Sequence, residues 1–220
     1  MAINFLSLEK SELELNDNFL SLVSLCRKMY IKLATMVDNK IVTQESLDKM
    51  EEYHNRVNES RRDIRDDCIW IISKDQPRAS HLRYIIAVLY SIKDIERMSD
   101  YAYTISRILK KEKITTVMVN RLSSLLGKSI DFYDCIIDVL SKDDLSEYEE
   151  KIQSMFNSFR IDYKNFLTNS IELFSKTLSP SDVSQFISYY FNFSIIIKYI
   201  DRIVDHCLSI YKNFVSVKNR

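Results

Sequence analysis

Residues Ser73 to Asp100 read SKDQPRASHLRYIIAVLYSIKDIERMSD, which is the end of one helix, a proline turn, and a long helix carrying the carboxylates Glu96 and Asp100. The second half of this stretch returns near the end of the chain. There Tyr199-Ile200-Asp201-Arg202-Ile203-Val204-Asp205 repeats the shape of Ile95-Glu96-Arg97-Met98-Ser99-Asp100, with the acidic residues again four apart. Side chains at i and i+4 project from one side of a helix, so each pair can converge on a cation.

Composition narrows what surrounds this stretch. With 220 residues the chain is long enough to bury a substantial core. It has Gly 1 and Pro 2. Glycine supplies the positive-φ positions of tight hairpins and phosphate-cradling loops, so an almost purely helical fold is expected. Lys+Arg 31 balances Asp+Glu 31, and without a global basic field no nucleic-acid partner is expected. Cys26, Cys68, Cys135 and Cys207 are far apart and lack C-x-x-C spacing, which disfavours a zinc ribbon or redox motif and favours reduced core thiols. The opening MAINFLSLEK has no signal-peptide pattern, and runs such as Ile85 to Tyr90 fall far short of the roughly 20 residues of a bilayer span. A soluble, cytoplasmic protein is expected.

Working outward, apolar residues step by threes and fours through Phe5, Leu8, Leu15, Phe19, Leu22, Cys26, Met29, Leu33 and Met36, with Glu12 as the polar interruption. This predicts a first helix to about Met36 and, after Asp38-Asn39-Lys40, an N-cap at Thr43. The second helix, about Gln44 to Lys74, has Leu47, Met50, His54, Val57, Arg61, Ile64, Cys68 and Ile71 on its seam. Pro77 stops it and suits the entry to a third helix at about Arg78 to Lys110, striped by Val88, Ile92, Ile95, Ser99, Ala102, Ser106 and Leu109. Glu96 and Asp100 border that stripe.

The plan then repeats. Leu122, Leu125, Phe132, Ile136 and Val139 mark a fourth helix, closed by Lys142-Asp143-Asp144. Ile152, Phe156, Phe159, Tyr163, Phe166, Ser170 and Leu173 mark a fifth, and this list is the second helix's seam, from Met50 onward, shifted by 102. Pro180 then matches Pro77 within one residue, and Phe186, Tyr190, Phe193, Ile197, Ile200, Val204, Cys207, Tyr211 and Phe214 mark a sixth helix from about Ser181. The expected fold is all-α, a tandem repeat of two antiparallel three-helix bundles, residues 1–112 and 113–220, divided at the charged run Lys110 to Lys113. The aromatics of the last two helices lie on seams, where they fill the core.

Gln76-Pro77-Arg78-Ala79-Ser80-His81-Leu82-Arg83 followed by Glu96-Arg97-Met98-Ser99-Asp100 resembles the paired motifs of the PhoU family, in which Gln76, Pro77, Ala79, Leu82, Arg83 and Arg97 are motif positions. Asp201-Arg202-Ile203-Val204-Asp205-His206 is similar to the family's second copy, with Arg202 in the place of Arg97. Repeat count, helix lengths and motif positions extend the likeness over essentially the whole chain. The resemblance implies a cytoplasmic regulator of phosphate uptake and homeostasis. It would bind the phosphate ABC transporter ATPase, and a phosphate-sensing histidine kinase where one exists, as a homodimer that meets the membrane only peripherally.

Some members of that family hold iron or another metal on E/DxxxD motifs. By that analogy the candidate ligands are Glu96, Asp100, His54 and Asn58 in the first repeat, where iron or another divalent metal is the implied cofactor, and Asp201 and Asp205 in the second. The positions facing the second pair read Phe156 and Arg160, too few donors for a hard or borderline cation. Protein cations are therefore expected to replace metal, with Arg61 near Glu96 and Asp100 and Arg160 near Asp201 and Asp205. His81 stands where the family has Asp, and Ser99 and Val204 where it has Gly. No nucleophile elbow, P-loop or Glu-x-x-His pair is present, so an enzyme is not expected. A carboxylate-bundle metal-binding or storage protein, and a helical adaptor with a changed partner, are the alternatives.

Overall fold

The computed structural model describes residues 5–112, 116–142, 145, 147–177 and 183–218. Among them are six helices and no strand: α1 Phe5–Asp38, α2 Gln44–Asp75, α3 Ser80–Lys111, α4 Thr116–Leu140, α5 Tyr148–Thr177 and α6 Val183–Lys218. Thr43 caps α2, its hydroxyl oxygen accepting from the Ser46 N–H at 3.1 Å. At the other end Lys110 and Lys111 lie in the last turn of α3, where cations offset the helix dipole, and Lys110 Nζ donates to the Val42 carbonyl at 2.8 Å.

One entry signal differs from the sequence reading. Pro77 is buried but lies outside α3, which starts three residues later at Ser80. The chain turns through Gln76 (φ 47, ψ 54) and Ala79 (φ 52, ψ −118), and Lys40 after α1 has φ 56. In a chain with one glycine, ordinary residues occupy these left-handed positions and carry the strain, on the order of 1–2 kcal/mol each.

The predicted seams are the buried faces. Leu8 to Met36 on α1, Val88 to Leu109 on α3 and Leu122 to Val139 on α4 are almost wholly excluded from solvent, as are Phe159 and Phe166 on α5 and Phe193 to Phe214 on α6. The side chains of Phe5, Ser170, Leu173 and Phe186, and residues Asp143, Asp144, Pro180 and Ser181, lie outside the described set. The first three helices pack on one another, as do the last three, and the halves join where α3 lies along α6 and α1 along α4. A single hydrophobic cluster runs through both.

That junction buries two tyrosine hydroxyls and a thiol. Tyr30 donates to the Met98 carbonyl at 2.5 Å and Tyr133 to the Val23 carbonyl at 2.9 Å, with the two rings 6.1 Å apart. Burial drives both phenols well above their ordinary value, and it pushes the Cys26 thiol up to about 12. All four cysteines are buried free thiols. On the α3–α6 seam Tyr101 stacks on Tyr199 at 4.8 Å, and His206 Nδ1 lies 2.8 Å from Asp94 Oδ1. The offset of 105 that carries Glu96 onto Asp201 also carries Asp94 onto Tyr199 and Tyr101 onto His206. The two contacts thus fall on equivalent positions, as an approximate two-fold relation between the repeats requires.

Candidate functional site: two acid pairs on the third helix of each repeat

Glu96 and Asp100 are half-buried at the edge of the α3 stripe, facing α2; Asp201 and Asp205 hold the same place on α6, facing α5, with Asp201 buried. In the second repeat one guanidinium spans both acids. Arg160 Nη1 donates to Asp201 Oδ1 and Nη2 to Asp205 Oδ1 at 2.7 Å. The same group sits 5.0 Å from the centre of the Phe156 ring, which supports it from one side. Arg202 Nη1 donates to Asp205 Oδ2 at 3.2 Å, so both oxygens of Asp205 are engaged. Burial raises the Asp201 carboxyl above the ordinary aspartate value, while the charge of Arg160 pulls the other way.

The first repeat divides the same task. Arg61 Nε lies 3.0 Å from Glu96 Oε1 as an ion pair without a directed hydrogen bond. It does not pair with Asp100, where the sequence reading had also placed it. Asp100 instead has His54 Nδ1 at 3.8 Å and the exposed Arg97 Nη1 at 3.9 Å, with 38% of its side chain open to water. His54 stacks on Tyr103 at 4.9 Å, and its Nε2 is 3.2 Å from Asn58 Nδ2.

The donor sets do not suit a metal in this arrangement. Glu96, Asp201 and Asp205 are each held by an arginine of the facing helix, Asp100 lies beside His54 and Arg97, Phe156 cannot coordinate, and His54 Nε2 is occupied by Asn58. Among the described residues no group of three or more His, Cys, Asp or Glu side chains is placed to hold an ion.

The motif ahead of α3 is structural in its contacts. Gln76 ends α2, Pro77 is buried, Ala79 forms the strained turn, and Leu82 is half-buried. His81 Nδ1 lies 2.8 Å from Glu12 Oε2, so the polar interruption of the α1 seam meets the histidine in the first turn of α3. Arg83 Nε is buried with no hydrogen-bond partner among the described residues. The Glu12–His81 and Asp94–His206 pairs were missed by sequence reasoning. Glu12 was visible as an oddity, but its partner depends on the register between helices.

Six long helices in two three-helix units, with an acid pair at the same level of each third helix, define a tandem three-helix-bundle protein. Residues 19–109 match the family model described as PhoU domain, which spans both α3 motifs. Over residues 19–109 the chain is thus similar to the PhoU domain. It is 27% identical over 228 residues to the protein named "Uncharacterized protein MG409 homolog" of Mycoplasma pneumoniae, covering 99% of this chain and 97% of the relative. It is 28% identical over 134 residues to the "Phosphate-specific transport system accessory protein PhoU" of Edwardsiella tarda, covering 54% and 55% of the two chains. The fold is that of the crystal structure of the phosphate transport system regulatory protein PhoU from Streptococcus pneumoniae, with TM-score 0.82 and 19% identity over 96% of both chains.

Proposed function

We propose that this protein regulates phosphate uptake and phosphate homeostasis by binding the phosphate ABC transporter at its cytoplasmic ATPase and restraining it, and by binding a sensor histidine kinase where one is present. It acts in the cytoplasm, as a homodimer, and reaches the membrane only through the transporter. The two units, 1–112 and 113–220, work as one stiff body, since a common core leaves little freedom between them. The observation that carries this reading is the PhoU domain match over residues 19–109, which contains Gln76 to Arg83 and Glu96 to Asp100. No helix among the described residues is long and apolar enough to cross a membrane.

In this protein the acid pairs serve the fold, with arginine side chains in the place of metal. Carboxylates beside an apolar seam are costly unless paired, and a guanidinium supplies both charge and directed donors. Affinity purification of the tagged full chain from its own cells tests the partner, with recovery of the transporter ATPase as the expected result. Unchanged phosphate uptake after deletion of the protein would overturn the regulatory role.

A further inference from the structure

A groove of about 430 Å³ runs between α4 and α5, away from both acid pairs, lined by Asn120, Arg121, Ser124, Lys128, Asp162 and Asn165 over a floor of Leu125 and Phe166. Its charges are unevenly used. Lys128 pairs with Asp162, whereas Arg121 has no carboxylate partner among the described residues; its guanidinium carbon lies 5.7 Å from the centre of the Phe166 ring, which orients it at the groove. The side chains of Asn120, Ser124 and Asn165 likewise have no hydrogen-bond partner among the described residues, although Ser123 and Ser129 on the same helix each have one. What remains is one uncompensated cation and several neutral polar groups around one concave surface.

We propose that this groove binds a phosphate-type oxyanion, free or as the phosphoryl end of a small molecule, with Arg121 as its charged anchor and Asn120, Ser124 and Asn165 as neutral donors. Arginine presents paired N–H groups that match two oxygens of a tetrahedral anion, and stacking on an aromatic ring leaves those edges available. Asparagine and serine donate without adding charge, which suits a ligand whose charge Arg121 already offsets. Two other grooves differ in their donors: the one bounded by Glu149, Glu150, Gln153 and Ser154 is acidic, and the one bounded by Lys32, Thr35 and Thr43 has a cation, but a lysine without the paired N–H edge of arginine, and its threonine hydroxyls are committed to α1 and α2. The choice of phosphate as the oxyanion rests on the phosphate-regulatory reading above; the position of the donors does not.

Isothermal titration of the full chain with inorganic phosphate and, separately, with adenosine triphosphate tests the site. Saturable binding is expected, weakened about tenfold or more by Arg121→Ala through loss of a charge-assisted pair. Asn165→Asp changes only an exposed position and is expected to weaken binding comparably by adding a negative charge, so the outcome does not depend on Arg121 being dispensable for folding. Saturation by inorganic phosphate that blocks the nucleotide identifies free phosphate, and tighter binding of the nucleotide identifies a phosphoryl group on a larger ligand. Absence of saturable binding to both, or binding unchanged in both variants, overturns the proposal. Transporter recovery by the Arg121→Ala protein, measured alongside, separates failure of this groove from failure of the regulatory reading.

Discussion

The two repeats present the same carboxylate frame and neutralise it differently. The shift of 102 that superposes the α2 and α5 seams places Arg160 at the position of Asn58 and Arg61 at that of Tyr163, so the two guanidiniums enter about one helical turn apart. From its position Arg160 reaches both acids at once; Arg61 reaches only Glu96 and leaves Asp100 to His54, Arg97 and water. An i, i+4 acid pair therefore specifies a need for positive charge without specifying which residue meets it. A register difference of three residues on the facing helix turns one bidentate bridge into two separate contacts.

The largest effect should come from Arg160→Leu, which strands the buried Asp201 and part-buried Asp205 together. Urea unfolding should show a loss of about 3 kcal/mol. The pH dependence carries a sign. Burial raises the Asp201 carboxyl in the folded protein, so its contribution to stability is full below the ordinary aspartate range and is lost as pH rises through the raised folded value. Removing Arg160 takes away the opposing attraction and raises it further, so the cost of the substitution should shrink between pH 8 and pH 5. An equal cost at both would break the assignment of Arg160 as the charge that holds Asp201.

Arg61→Met should cost less, about 1–2 kcal/mol, because it orphans one part-buried carboxylate. Its effect and that of His54→Gln should add within about 0.5 kcal/mol if the first repeat uses separate contacts. Asp201→Asn and Asp205→Asn share one guanidinium, so their effects should depart from additivity by more than that. Equal coupling in the two repeats would erase the contrast. Next in size, His206→Leu removes the Asp94 contact on the α3–α6 seam and should lower stability by about 1 kcal/mol without changing either coupling.

The smallest effect should be a gain. A Cβ at Gly127, the one glycine, would meet nothing within 4 Å, and its φ is not positive. Gly127→Ala should stabilise α4 by about 0.5–1 kcal/mol, read as a higher melting temperature, and leave the Arg160 and Arg61 effects as they were.

Much of this was legible in the sequence because helical periodicity is a local property. The seams through Val88 to Leu109 and Ile197 to Phe214 told which faces are buried, and seven seam positions of α2 recurring on α5 at a common offset implied the repeat. The placement of Pro77 was less legible, since the turn is made by positive-φ residues at Gln76 and Ala79 that no residue preference announces. Pairings such as Glu12 with His81 depend on how far one helix slides along another, a quantity absent from either helix alone. The same gap explains why Arg61 was expected to serve Asp100 as well as Glu96.

The most direct test of protein cations in the place of metal is the metal content of the full chain purified without chelator, with its unfolding midpoint measured in the same sample before and after EDTA. Substoichiometric metal and an unchanged midpoint are predicted. Stoichiometric iron or another divalent ion, with a midpoint that falls by several degrees on chelation, would contradict the account.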